Sequence, residues 1–179
     1  MKSKKPTPAL VALTAAFLVS ISGYASATES IEDPVEYCAI LVGKTPNGAI
    51  TSPVLARACS QESPRQALEE MEAKAERTLP AQVYKSLDRV RLMTWFEDAN
   101  YGGNTTEIYG DDGPCDTGGY RVEPDWFWKV NLTSVTGTDA CDVGRFYTQQ
   151  LDHSETRRLP THLYPPLNDN VGLVRVWNG

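Results

Sequence analysis

The segment 95-WFEDANYGGNTTEIYG-110 combines aromatic rings, acidic residues and a glycine pair, followed by a threonine-containing run typical of a strand. Phe96, Tyr101 and Gly103 are spaced as aromatic-x-x-x-x-aromatic-x-Gly. A hairpin that folds back over its own sheet needs a residue that adopts positive φ where the chain reverses, and glycine does so without steric cost. Rings on either side can cover the bend. The segment therefore predicts a folded β-hairpin.

Short runs rich in strand-forming residues follow one another from Arg89 onward, separated by Gly, Asn, Asp and Pro. This pattern predicts an all-β sandwich or barrel. The predicted strands lie within residues 89–96, 104–110, 126–137, 141–151, 156–164 and 170–177. The segment between the second and third runs, Gly110–Asp125, is glycine-rich and acidic, so we expect it to be irregular.

The preceding part of the chain has a different pattern. Val35–Gly43 reads as a strand, Thr45–Gly48 as a turn, and the following residues as a second strand that returns to Cys59. A helix is then predicted with Ser63 as its N-cap and Pro64 as its first residue. It ends at Pro80, and its single apolar stripe consists of Leu68, Met71, Ala75 and Leu79.

The first residues have the features of an export signal. Three lysines precede an apolar run over residues 9–21, and the small residues Ala-Ser-Ala occupy 25–27. We therefore expect residues 1–27 to be a signal peptide, residues 28–88 an extension and residues 89–179 the β-domain, in a secreted, extracellular protein. Cleavage would remove three lysines and no acidic residue, so the net charge would fall from −6 to about −9. Such a charge argues against nucleic acid or an anionic membrane as a partner.

Four cysteines, Cys38, Cys59, Cys115 and Cys141, follow the predicted signal. An even number in an exported chain favours two disulfides, for which three connectivities are possible. We favour Cys38 with Cys59 and Cys115 with Cys141, because each pair then closes one compositional segment. A zinc site is the weaker alternative, since the sequence has no C-x-x-C.

The motif FEDANYGG, residues 96–103, resembles the Greek-key signature of the βγ-crystallins, including secreted microbial members. In that family a serine later in the motif ties down the hairpin, and Ser134 has the matching position. The resemblance covers roughly residues 89–177 and implies a two-sheet Greek-key sandwich with an N-terminal hairpin-plus-helix extension.

A second, degraded copy of the motif is aligned with the first. Its bend lacks the glycine, so we expect a looser or differently shaped hairpin. The aligned residues are Tyr147 with Phe96, Asp152 with Tyr101, Ser154 with Gly103, and Leu159 with Ile108. Its end, NDNVGLVRV at residues 168–176, resembles the closing pattern of the family, with Gly172 and Leu173 in place of two hydroxyl residues.

The resemblance also implies calcium binding, through a polar pair and a hydroxyl residue in each motif. Motif one retains Thr133 but has Lys129 and Val130 at the polar pair, whereas motif two retains Asn168 and Asp169 but lacks the hydroxyl. One composite calcium site, formed by Asp169, Asn168 and Thr133, is therefore expected at most. The alternative is that the Asn-Asp pair is an ordinary turn.

Other chemistry has weaker support in the sequence. Asp111 and Asp112 could attract an ion or form a turn, and Glu97 with Asp98 match the structural motif better than a catalytic carboxylate pair. The only histidines are His153 and His162. His153 stands beside Asp152 and Ser154, but neighbours on one short turn cannot form a triad, so we expect a solvated turn histidine. The aromatic residues 126–128 could offer a sugar platform on one strand face.

We therefore expect a secreted, non-enzymatic binding or structural module with one weak calcium site, whose partner is an extracellular protein. The alternative is an extracellular protease inhibitor or antimicrobial effector. That activity would reside in the loop Gly110–Asp125, braced by Cys115.

Overall fold

The structure is a computed structural model that describes residues 34–179. The predicted signal peptide lies outside the described residues. The described residues form one compact unit, with all ten strands arranged in two sheets. Among the described residues, no helix has the length and apolar character needed to cross a bilayer.

Ten strands and three helices make up the described part of the chain. The strands are β1 (Tyr37–Val42), β2 (Val54–Ser60), β3 (Val90–Phe96), β4 (Thr105–Gly110), β5 (Tyr120–Val122), β6 (Ser134–Gly137), β7 (Val143–Thr148), β8 (Ser154–Arg158), β9 (Thr161–His162) and β10 (Val171–Trp177). The helices are α1 (Pro64–Thr78), α2 (Ala81–Ser86) and α3 (Trp126–Lys129).

The first sheet has six strands in the order β2-β1-β4-β3-β6-β9. The predicted N-terminal hairpin is present, because β1 pairs antiparallel with β2. Strand β1 also pairs in parallel with β4, from Tyr37 opposite Thr105 to Val42 opposite Gly110. The predicted extension, residues 28–88, and the predicted β-domain, residues 89–179, therefore share one sheet.

The second sheet has four antiparallel strands in the order β5-β10-β7-β8. Strand β5 belongs to this sheet although β4 and β6, its neighbours in sequence, belong to the first. In the same way β9 belongs to the first sheet although β8 and β10 belong to the second. The strands β3–β6 and β7–β10 thus form two groups of four. In each group, the third strand pairs in the sheet to which the other three do not belong.

The core lies between the two sheets and includes the fully buried rings of Trp95, Trp128, Tyr120 and Phe146. Successive residues of a strand point to opposite faces. On β1, Ile40 and Val42 accordingly join this core, whereas Ala39 and Leu41 face helix α1. The predicted two-sheet, mostly β fold is confirmed, and it has the character of a β-sandwich.

Helix α1 begins where the sequence predicts. The Ser63 hydroxyl accepts a hydrogen bond from the Gln66 backbone N–H at 3.2 Å, and Pro64 is the first helical residue. Met71 and Ala75 of the predicted stripe are fully buried against the outer face of the first sheet. The chain then forms a second short helix, α2, directly after Pro80, which the sequence analysis did not predict.

Both predicted disulfides are present. Cys38 is bonded to Cys59 across the β1–β2 pair, and Cys115 is bonded to Cys141. The second bond attaches the Gly110–Asp125 segment to the residues just before β7. All four cysteines are therefore engaged, which is compatible with folding in an oxidising compartment.

Three local predictions were wrong. The run 156–164 is not one strand, since it contains part of β8 and all of β9, which belong to different sheets. The run 126–137 does not form one strand: its first four residues are helix α3, because the Asp125 carboxylate caps the turn by accepting a hydrogen bond from the Trp128 N–H at 3.1 Å. The segment Gly110–Asp125 is not wholly irregular, since β5 pairs with β10 and buries Tyr120 and Val122.

Candidate functional site

The opening segment forms the β3–β4 hairpin. At its bend a short 3-10 turn includes Asn100 at φ 59° and Tyr101 at φ 64°, and Gly103 follows at φ 73°. A Cβ at Gly103 would lie 2.7 Å from the Asp98 side chain. Glycine is therefore required there both by the backbone conformation and by the space available.

Ser134 holds this bend in place from the start of β6. Its fully buried hydroxyl donates to the Asp98 carbonyl at 2.7 Å and accepts from the Tyr101 N–H at 3.2 Å. The Tyr101 ring packs edge-on to Phe96, with 5.5 Å between centroids. The predicted serine tie thus has the expected geometry, and residues 96–103 form the predicted hairpin bend.

Polar side chains around the bend accept hydrogen bonds from its backbone. The Glu97 carboxylate accepts a hydrogen bond from the Asn104 N–H at 3.2 Å. His162 Nε2 accepts one from the Asn100 N–H at 3.1 Å, and its ring lies 4.9 Å from that of Tyr101. The contribution of His162 was missed by the sequence analysis, because β9 reaches the bend only through its pairing with β6.

The second hairpin, β7–β8, has a different bend, as expected. Leu151 adopts φ 60° there, and the Thr148 hydroxyl donates to the Asp152 carboxylate. The same hydroxyl accepts from the His153 N–H at 3.2 Å. A threonine within the hairpin therefore ties this bend, in place of a serine from the closing strand.

His153 Nε2 lies 3.2 Å from Glu155, and this contact, followed by that with Arg157, holds the pKa of the Glu155 carboxyl below its usual range.

The three residues predicted for calcium lie together. The Thr133 hydroxyl donates to Asp169 Oδ1 at 3.3 Å, and Asn168 Nδ2 donates to Asp169 Oδ2 at 2.6 Å. Asp169 is exposed and has φ 56°, and its N–H points to the Leu132 carbonyl at 3.4 Å. The hydroxyl of motif one and the carboxylate of motif two therefore meet. Lys129, at a lost polar position, pairs with Glu123.

The acidic pair Asp111 and Asp112 lies in the insert Gly110–Asp125, and both residues form hydrogen bonds within the fold. Asp111 Oδ1 accepts a hydrogen bond from the Lys44 N–H at 2.7 Å, and burial raises the pKa of the Asp111 carboxyl. The Asp112 N–H donates to the Tyr120 hydroxyl at 3.2 Å. In the rest of the insert, the longest run of consecutive exposed residues is 116–118. Most residues of this loop, which the alternative prediction assigns to protease inhibition, are therefore buried or half-buried.

The aromatic residues 126–128 contact one another in series, from the core to the surface. Trp128 is 2% exposed and packs edge-on to Trp95, whereas Trp126 is 78% exposed. Between them, Phe127 makes perpendicular contacts with both rings, at 5.2 Å to Trp128 and 6.0 Å to Trp126. Only one of the three side chains is thus presented to solvent.

A cleft of about 270 Å³ lies beside Trp126. The polar residues that line it are Glu36, Arg57, Asn104, Thr105 and Asp125. Arg57 forms an ion pair with Asp125, and the Glu36 N–H donates to Asn104 Oδ1 at 2.6 Å. Glu36 and Asn104 are distant in sequence and meet because β1 and β4 are parallel neighbours, so no local pattern indicates the cleft.

One group of potential metal ligands is found among residues 34–179, namely Glu36, Cys38 and Cys59. The two sulfur atoms form a disulfide and are not available as thiolates. This group therefore does not suit a metal ion.

Compared with models of protein families, with curated proteins and with solved structures, the chain matches none.

Proposed function

We propose that this protein is an exported, non-enzymatic binding module of the βγ-crystallin type that holds one calcium ion weakly at Asp169, Asn168 and Thr133. The proposal joins two inferences, one about the type of fold and one about the site.

Strand order supports the Greek-key interpretation. A Greek key places its four strands in the spatial order 4-1-2-3. Strands β6-β3-β4 follow the order 4-1-2 in the first sheet, and β10-β7-β8 follow the same order in the second. The third strand of each set, β5 or β9, pairs in the opposite sheet. Two interlocked Greek keys, with the Ser134 tie in the first, are consistent with the resemblance carried by residues 96–103.

The approach of Thr133 to Asp169 is the observation that carries the calcium proposal. These residues are 36 positions apart and come from different motifs, yet their side-chain oxygens are 3.3 Å apart. Asn168 adds an amide to the same carboxylate. Motif one lacks the polar pair of the calcium pattern, and motif two lacks the hydroxyl residue. A composite site therefore requires that the two motifs meet, as they do here.

The donor set suits a weak calcium site. Calcium takes six to eight oxygen ligands, and carboxylate, hydroxyl, amide and backbone carbonyl oxygens are all suitable. Rotation of the Thr133 hydroxyl and of the Asn168 amide would turn their oxygens toward an ion held by Asp169. Because only one of the three side chains carries a charge, we expect a Kd of about 0.1–1 mM, the range of extracellular calcium modules.

Thermal melts after dialysis against a chelator test the site. With a Kd of about 1 mM, about 10 mM calcium would stabilise the fold by about 1.4 kcal/mol. That stabilisation corresponds to a rise in melting temperature of about 3–6 °C for a chain of this size. Asp169→Asn removes the charge but keeps a residue that tolerates positive φ, so the variant should fold and lose the calcium response.

Asp139→Asn is the matched control, because Asp139 is also an exposed acidic residue of a turn. It should retain the full response to calcium. An absence of any calcium-dependent shift in the unmodified protein, or an equal shift in the Asp169→Asn variant, would show that Asn168 and Asp169 are turn residues only.

A further inference from the structure

The exposed indole of Trp126 is held in a defined position. Asp125 caps the one-turn helix that carries it, and the same carboxylate pairs with Arg57 on β2. The ring also packs edge-on against Phe127, which in turn packs on the buried Trp128. Trp126, which is 78% exposed, is therefore carried on an anchored helical turn, and its ring contacts a ring that packs on the core.

The adjoining cleft offers hydrogen-bonding groups of both kinds. The Glu36 carboxylate is an acceptor, and the Asn104 amide directs its oxygen to the Glu36 N–H, which leaves its Nδ2 hydrogens directed elsewhere. Within the described part of the chain, no hydrogen bond from Asn104 Nδ2 is formed. Thr105 lines the same side of the cleft. With a volume of about 270 Å³, the cleft is near the lower limit of small-molecule sites.

We propose that this cleft binds a neutral saccharide, with one pyranose ring stacked on Trp126 and its hydroxyls bonded to Asn104 and Glu36. A pyranose has a face of C–H bonds and a rim of hydroxyls that both donate and accept. This combination matches an aromatic face beside mixed donors and acceptors.

The charges around the cleft favour a neutral ligand. Arg57 is already paired with Asp125, so Glu36 contributes the uncompensated charge among the three charged lining residues. Together with the net charge of −6, this charge disfavours acidic sugars and other anions. The competing ligand class is an organic cation, which would use Trp126 through a cation–π contact.

Calorimetric titration of the purified protein tests the proposal. The probes are cellotetraose, tetra-N-acetylchitotetraose and maltotetraose, each at up to about 10 mM, with tetramethylammonium chloride as the cationic probe. We expect at least one oligosaccharide to bind. Trp126→Ala should weaken that binding about tenfold, because the variant loses both the buried apolar face of the indole and its stacking contact with the sugar.

Two further variants define the interpretation. Tyr164→Ala removes an exposed ring that lies outside the cleft and should leave binding unchanged. Trp126→Phe keeps a smaller ring and should give intermediate affinity. Because Trp126 is exposed, thermal melts of its variants should match that of the unmodified protein, which separates lost binding from lost folding.

Three results would overturn the proposal: no heat from any oligosaccharide, binding that Trp126→Ala leaves intact, or binding of tetramethylammonium alone. The calcium variant Asp169→Asn should bind the saccharide normally, so the two proposals can fail independently.

Discussion

Replacing Ser134 with alanine tests whether the hairpin bend depends on one hydroxyl. The side chain is fully buried and makes two hydrogen bonds, to the Asp98 carbonyl and from the Tyr101 N–H. Alanine fits the same space but leaves both backbone groups without their partner. Tyr101 adopts φ 64°, a conformation that is unfavourable for a residue with a bulky side chain.

The expected loss follows from these two contacts. A typical hydrogen bond contributes a net of about 1 kcal/mol, and a buried group left unpaired costs about 1–3 kcal/mol. Asp98 is exposed and Tyr101 is half-buried, so water can reach the bend and the lower values apply. We therefore expect a loss of about 2 kcal/mol in the free energy of unfolding, or about 4–8 °C in melting temperature.

Thermal melts give the total effect, and amide hydrogen exchange locates it. The Tyr101 N–H should lose protection in Ser134→Ala, while amides in the β7–β8 hairpin should not change. Ser86→Ala is the control, since its hydroxyl donates to a carbonyl at an exposed helix end, and it should shift the melt by less than about 0.5 kcal/mol. If Ser134→Ala behaved like this control and Tyr101 stayed protected, the tie would not stabilise the bend.

The remaining predictions concern the segment between β4 and β6. Tyr120→Phe removes a buried hydroxyl that donates to the Gly113 carbonyl and accepts from the Asp112 N–H, and urea denaturation at pH 8 should show a loss of about 1–2 kcal/mol. Burial raises the pKa of Tyr120 to about 12 from 10, so its neutral form stabilises the fold below about pH 10 and this contribution disappears as the pH rises toward 12. The unmodified protein should therefore lose more stability than Tyr120→Phe between pH 8 and 11, and equal losses would contradict the assignment; some loss should persist in the variant because burial also raises the pKa of Tyr109. Replacing Cys115 and Cys141 together with serine should lower the free energy of unfolding by about 3.5 kcal/mol, since 26 positions separate them. An unchanged denaturation midpoint would show that the bond adds nothing.

The elements that sequence patterns predicted correctly are those with local causes. Ser63 and Pro64 specify the start of α1 within one turn, and the β1–β2 hairpin has its turn residues between two strand-like runs. Ser134 was identified because its distance from the FEDANYGG motif follows a family pattern. In each case the relevant residues are close in sequence or belong to one motif.

The errors arose where a single side chain or a distant strand decided the structure. The run WFWK favours a strand by composition, yet the Asp125 cap makes it a helical turn. Strand β5 forms because Tyr120 and Val122 find the edge of β10, more than fifty positions later. The cleft was missed for the same reason, because Glu36 and Asn104 meet only through a parallel strand pair.

Both proposed sites lie at the same end of the first sheet. One row of paired residues crosses all six of its strands at this end: Ser60, Tyr37, Thr105, Phe96, Ser134 and His162. Glu36 and Asn104 stand just beyond this row at β1 and β4, and Thr133 stands just beyond it at β6. Strand β3 lies between β4 and β6, and the hairpin bend connects β3 to β4. Asn104 directly precedes the first residue of β4. Within the segment WFEDANYGGNTTEIYG, Asn104 would line the proposed saccharide cleft, and the bend is held by Ser134, which directly follows Thr133 of the proposed calcium site. The same hairpin therefore adjoins both proposed sites.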